Sequence, residues 1–445
     1  MTISKNISKT KTYVRLFSRP EMPYYLVIGS TAALCGIGLT MVLSASSVTS
    51  LTDNGSAYSI FFKQLLFLFI GTLAALWFYK RPESSWTKIA PKSLLISIMI
   101  LMLPLVPGIS REINGNRNWI SVAGFTLQPS EFAKFGFILW CAYKLRRIDF
   151  SATKWQANRL LISLIPGFLL IAGPILYEKD LGTALIVAII FSAILFVAGL
   201  PIRFMVVITS LFALIGTAFV LSSQYRLHRF SAFLNPFADE YYKLAGWQPA
   251  HSLMGMASGG LFGVGLGASR QKWANLAEAH TDFIFAVIGE ELGLLGTMMV
   301  LLLFAALIYG IFRIALRTPD TFSRYAVAGV GCWMLTQAVI NIATTTSLIP
   351  VIGVTLPFIS YGGSSMVADL IAIGFVLSVA KRNQTVMLNC NAIGGTSPTV
   401  LYSRDGLNFT QSVLLFNYPA NMTSAFGISN NGSTSNPLWI VMGST

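Results

Sequence analysis

The chain has 445 residues, 54% of them hydrophobic and 11% charged. Soluble domains carry roughly 25% charge; with a mean hydropathy of +0.66, the composition excludes a soluble globular protein and points to an all-α polytopic membrane protein. The net charge of +14 does not point to nucleic acid, because the basic residues gather in alternate loops as the positive-inside rule requires.

A basic segment, residues 1–23, with Lys5, Lys9, Lys11, Arg15 and Arg19, leads into the first apolar run. No small-residue cleavage site follows, so this run is expected to stay as a first helix rather than leave as a signal peptide. Apolar runs of about 17–25 residues predict about ten transmembrane helices, near 24–46, 59–79, 93–110, 131–145, 159–177, 183–200, 203–223, 283–313, 325–346 and 364–380. The fourth is short and the eighth long, which suggests tilt, a broken helix or a segment buried in protein. Lys80, Arg81, Lys88 and Lys92 lie between spans two and three, Lys144, Arg146 and Arg147 after four, Arg313, Arg317 and Arg324 around the turn from eight to nine, and Lys381 and Arg382 after ten. That alternation predicts cytoplasmic termini and places the longer loops, including a large one over about 224–282, on the far side. Cys35, Cys141, Cys332 and Cys390 show no paired spacing, so neither a disulfide framework nor a zinc site is indicated.

Four polar clusters map to the non-cytoplasmic ends. The first runs from Asn116-Arg117-Asn118-Trp119 to Gln128-Pro129-Ser130-Glu131 and Lys134. Pro129 and Glu131 read as a helix start, and Glu131 with Lys134 three residues on can form an internal ion pair; Trp119 equally suits an interfacial anchor. The second is Glu178-Lys179-Asp180-Leu181-Gly182-Thr183, three charges in a tight turn that could bind a charged ligand or simply solvate the turn. The third is the large loop, where Arg226, Arg229, Arg270 and Lys272 could clamp a pyrophosphate. Its Gly259-to-Gly267 run contains GxGxG, but no strand precedes it, so close helix contact is preferred to dinucleotide binding. The loop ends in Glu278-Ala279-His280-Thr281-Asp282-Phe283, which leaves Asp282 at the membrane edge. There it suits a helix cap favoured by the dipole, a proton acceptor, or both at once. The fourth cluster is Leu356-Pro357-Phe358-Ile359-Ser360-Tyr361-Gly362-Gly363-Ser364, small and hydroxyl-rich, suited to a loop dipping toward a ligand. Intramembrane Lys63, Glu290, Glu291 and Asp369 are expected to face the protein interior. Residues 383–445 form a polar tail, read as β-rich or disordered, and carry no chemistry.

These clusters, in this order and spacing over roughly residues 20–382, resemble the SEDS family of bacterial ten-span proteins (shape, elongation, division and sporulation), and Ala279 to Glu291 looks more like its division branch than its elongation branch. Lys179, where the family has proline before Asp180, is a departure. The resemblance implies a peptidoglycan glycosyltransferase that polymerises lipid II during septal wall synthesis in the plasma membrane. It also implies a class B penicillin-binding transpeptidase and other division proteins as partners. Under that reading Asp282 is the general base, and Lys272, Arg270, Arg226, Arg229, Trp119, Glu131, Lys134, Asp180, Ser360 and Ser364 are candidate substrate contacts. No cofactor is named by the residues, with a divalent cation left open. A lipid II flippase and a membrane scaffold of the division machinery stand as alternatives.

Overall fold

The computed structural model describes residues 21–106, 108, 110–113, 116–122, 125–146, 154–221, 224–273, 275–391 and the strands 399–403, 409–413, 424–430 and 439–444. It divides into a helical unit, 23–378, and a second unit of the terminal segments.

Ten long helices account for the ten apolar runs: α1 Met22–Asn54, α2 Ser59–Tyr79, α3 Glu83–Leu101, α4 Pro129–Leu145, α5 Lys154–Tyr177, α6 Leu181–Val197, α7 Ile202–Leu221, α11 Ile284–Arg317, α12 Thr321–Thr345 and α13 Gly363–Asn391. Three helices within the large loop complete the series: α8 Gln224–Leu234, α9 Asp239–Tyr242 and α10 Trp247–Gly259. Six of the helices (α1, α2, α3, α11, α12 and α13) are long and apolar enough to cross a membrane, and α5, α6 and α7 contain shorter apolar stretches. At 17 residues, α4 reaches about 26 Å, short of a hydrocarbon core of about 30 Å. Thirteen of its residues are buried, among them Phe137, Ile138 and Cys141, so it is walled in by protein.

The third span departs most from its sequence reading. Its helix starts at Glu83, ten residues before the apolar run, because Lys88 and Lys92 dilute the hydropathy without breaking the helix. It ends at Leu101 and passes through a 3-10 turn at Pro104 into a three-stranded antiparallel sheet of β1 Ser110–Ile113, β2 Asn116–Val122 and β3 Phe125–Leu127. Leu127 pairs with Ile120, and the strand hands directly to Pro129 at the head of α4.

α12 is central, packing on α11, α6 and α4. α13 lies against α2 so closely that a Cβ on Gly374 would stand 2.4 Å from the Ala75 carbonyl oxygen, the small-residue contact that helices use in lipid. In the terminal unit, β4 Thr399–Ser403 pairs antiparallel with β5 Phe409–Val413, and β6 Ser424–Asn430 with β7 Trp439–Ser444.

Candidate functional site

Asp282 sits one residue before the cap of α11 and does not cap it. The cap position is Phe283, which makes no side-chain cap bond. The turn before it is wound on Glu278, whose backbone takes φ +57 and whose carbonyl accepts from both Thr281 and Phe283 N–H. Three successive carbonyls of this turn are then caught from outside. Tyr361 N–H donates to His280 O at 2.9 Å, the Ser360 hydroxyl to Thr281 O at 2.6 Å, and the Asn341 amide to Asp282 O at 2.8 Å. Asn341 also donates to Val354 O at 2.6 Å, and Gln64 from α2 donates to Ser360 O at 3.1 Å. The end of α12 and its connection to α13 therefore fix the backbone of Asp282 and leave the side chain unused. Among the described residues, no hydrogen bond ends on its carboxylate, and Asp282 is half-buried.

Burial raises the Asp282 pKa, the charges of Glu278 and Asp180 raise it further, and Arg229 pulls it down, leaving it pushed up to about 7. A carboxyl poised there can take a proton at neutral pH and later release it. Burial lowers the pKa of the nearby His280, against the opposing pull of Glu278 and Asp53.

Asp180 occupies a different kind of seat. It caps α6, accepting from Thr183 N–H at 2.9 Å, and takes further bonds from the Thr183 hydroxyl at 2.8 Å, Asn118 at 2.6 Å and Gln128 at 3.0 Å. Gln128 N–H is in turn held by the Ser364 hydroxyl at 3.1 Å. Beside it, burial and the Asp180 charge push Glu178 up to about 8. Lys179 takes φ +65 and donates its N–H to Leu176 O; a proline at this position could do neither.

Glu131 and Lys134 pair at 2.9 Å and are shut off from solvent at 5% and 1% exposure. Lys134 also donates to Gln337 on α12, which donates to Thr355 in the α12–α13 connection. Lys272 is buried, its ammonium donating to Gly267 O, while Arg270 is exposed. Arg229 is half-buried on α8, close enough to act on Asp282. The Arg226 side chain lies outside the described residues. Trp119 is half-buried on β2, opposite Arg111 in the register. Asp282, Asp180, Arg229, Ser360 and Ser364 thus gather around one end of the bundle, and Lys272 and Arg270 belong to a second knot of contacts on the glycine loop.

Sequence reasoning passed over Asn341, Gln337 and Gln64 as site-building residues. Their signal was present: amides inside apolar spans need partners and mark helix contacts. Among the described residues no group of three or more His, Cys, Asp or Glu side chains is placed to hold a metal ion.

The model of the FtsW/RodA/SpoVE family, described as cell cycle protein, matches residues 25–385. The chain belongs to this family. It is 41% identical over 368 residues to "Probable peptidoglycan glycosyltransferase FtsW" of Mycobacterium tuberculosis, covering 82% of this chain and 69% of that protein. Among solved structures, a chain from a peptidoglycan synthase complex that coordinates polymerization and crosslinking matches with a TM-score of 0.65 at 28% identity, over 80% of this chain and 97% of that one. The rod shape determining protein RodA of Thermus thermophilus matches with a TM-score of 0.58 at 29% identity, over 80% and 96%. Like the rest of the FtsW/RodA/SpoVE family, the chain is an integral membrane protein with an all-α membrane domain.

Proposed function

We infer that this chain is a peptidoglycan glycosyltransferase that polymerises lipid II, with Asp282 as its general base. The observation that carries the assignment of the base is a half-buried carboxylate that takes no hydrogen bond among the described residues, pushed up to about 7 by burial, at the head of a membrane helix. As the acceptor sugar's hydroxyl oxygen attacks the donor's anomeric carbon, Asp282 takes the hydroxyl proton. The carbon–oxygen bond to the lipid pyrophosphate breaks, and the leaving group departs with the electron pair. Positive groups are wanted where that charge grows. Lys272 suits this role, being buried with no carboxylate within salt-bridge distance among the described residues, so that an anionic ligand would complete it. Arg229, Arg270 and Arg226 are further pyrophosphate contacts; Trp119, Asp180, Ser360 and Ser364 shape the acceptor side.

The protein works in a bacterial plasma membrane at the division septum, with both termini cytoplasmic and the Asp282 end of the bundle outside. Its partner is a class B penicillin-binding transpeptidase, alongside other division proteins. The test is glycan chain formation from labelled lipid II by purified protein with a cognate transpeptidase. Wild type makes polymer and Asp282→Asn makes it about 10²–10⁴-fold more slowly. Equal polymer from both moves the base elsewhere; no polymer from either, with a functional partner, supports a flippase or scaffold.

A further inference from the structure

α11 is broken at Gly293, where the backbone turns to φ 68, ψ −164. In an unbroken helix, Leu294 and Leu295 N–H would bond the Glu290 and Glu291 carbonyls. Here the glycine loop takes both sides of the lost pairs. Leu294 and Leu295 N–H donate to Gly260 and Leu261 O at 2.9 and 3.2 Å, and the Glu290 and Glu291 carbonyls accept from Val264 and Gly265 N–H at 2.9 and 3.1 Å. A Cβ on Gly263 would lie 2.1 Å from Glu291 O, and one on Gly293 2.3 Å from Gly263 N. The GxGxG pattern is what lets one backbone splice into the other.

The side chains at the break continue the hold. Glu290, 1% exposed, accepts from the Ser269 hydroxyl, from Arg270 N–H at 3.0 Å and from Gln271 N–H at 3.5 Å. Glu291 accepts from Ser269 N–H at 3.3 Å and from the Ser44 hydroxyl of α1 at 2.6 Å. These donors to Glu290 lie in the three residues that lead directly into Lys272.

We propose that Glu290 is a positioning residue for glycosyl transfer: its carboxylate holds the Ser269–Gln271 backbone so that Lys272 is presented to the pyrophosphate. Glu291 ties the same segment to α1. The proposal rests on the reading of Lys272 as a pyrophosphate contact. Two buried carboxylates in a membrane helix are costly unless hydrogen-bonded; here the bonds of Glu290 converge on the loop and those of Glu291 are shared between the loop and Ser44 of α1.

The experiment compares wild type, Glu290→Gln, Ser269→Ala, Lys272→Met and the Glu290→Gln/Lys272→Met double variant in lipid nanodiscs. It reads backbone hydrogen exchange, the KM for lipid II and inhibition by undecaprenyl pyrophosphate. Glu290→Gln is expected to speed exchange over 264–273 while 351–362 keeps its protection. The KM and the inhibition constant rise about tenfold, as loss of ground-state binding requires, and the acid limb of the pH profile stays in place. The double variant is no worse than Lys272→Met, and Ser269→Ala moves in the same direction by less. An unchanged inhibition constant in both Glu290→Gln and Ser269→Ala, or a loss that adds in full to that of Lys272→Met, overturns the proposal. If Lys272→Met alone leaves inhibition untouched, the Lys272 reading falls, and exchange over 264–273 then decides whether the clasp exists.

Discussion

Asp180 and Asp282 stand close enough to feel each other's charge, yet the donors around them are arranged in opposite ways. Asp180 takes four hydrogen bonds, ties Thr183 of α6 to Asn118 and Gln128, and has little left to offer a substrate. Asp282 has its turn held at three carbonyls and its side chain left open. A carboxylate becomes structural or chemical according to where the surrounding donors point. The sequence around each, Lys179-Asp180-Leu181 and Thr281-Asp282-Phe283, carries no hint of that division of labour.

Substitution at each position should separate the two roles. Asp282→Asn keeps the shape and removes the base, so kcat should fall by about 10²–10⁴-fold with the melting temperature in detergent unchanged; a fall of about tenfold or less would place Asp282 outside proton transfer. Asp180→Ala should do the reverse in kind. It deletes a helix cap and strands buried donors, at a cost of about 2–4 kcal/mol, read as a lower melting temperature. A variant as stable as wild type would break the comparison. Gly353 takes φ +76, and a Cβ there would stand 3.4 Å from Asp282 Oδ2. Gly353→Ala should cost about 1–2 kcal/mol in backbone strain and lower kcat more than it raises KM.

The smallest effects are in pH dependence. Asp282 must be deprotonated to act, so kcat/KM should rise with pH through a midpoint near 7 rather than in the ordinary carboxylate range. Glu278 raises that midpoint and Arg229 lowers it. Glu278→Gln should therefore extend activity to lower pH, and Arg229→Gln should move the midpoint upward. A rate profile flat from about pH 5 to 8 would show that Asp282 does not titrate in the rate-limiting step.

Much of this was legible in the residues. The ten apolar runs mark the ten long helices, because hydropathy reads burial in lipid or protein alike; the second run, 59–79, coincides with α2 Ser59–Tyr79. The start of α3 was hidden by its lysines, since a helix can leave the membrane while keeping its backbone bonds. Asp282 stands out as an acid beside an apolar helix, but only the structure shows that the cap position falls on Phe283 and that Asp282 is not the cap. Asn341 escaped notice because its partners, Asp282 and Val354, lie 59 and 13 residues away, and no local pattern encodes such a meeting. The glycine run reads as a place of close contact and the length of the eighth run allows a broken helix, but that the break at Gly293 and the glycine run, some thirty residues apart, complete each other's backbone bonds is written in no local pattern.

The three carbonyls of His280, Thr281 and Asp282 are gripped by Tyr361, Ser360 and Asn341, all made later in the chain. During synthesis, Asp282 emerges and α11 is made before those three residues exist. A chain halted after α11 carries Asp282 without the three donors that hold its turn, so the geometry of that turn is set only once α12 and its connection to α13 have been made.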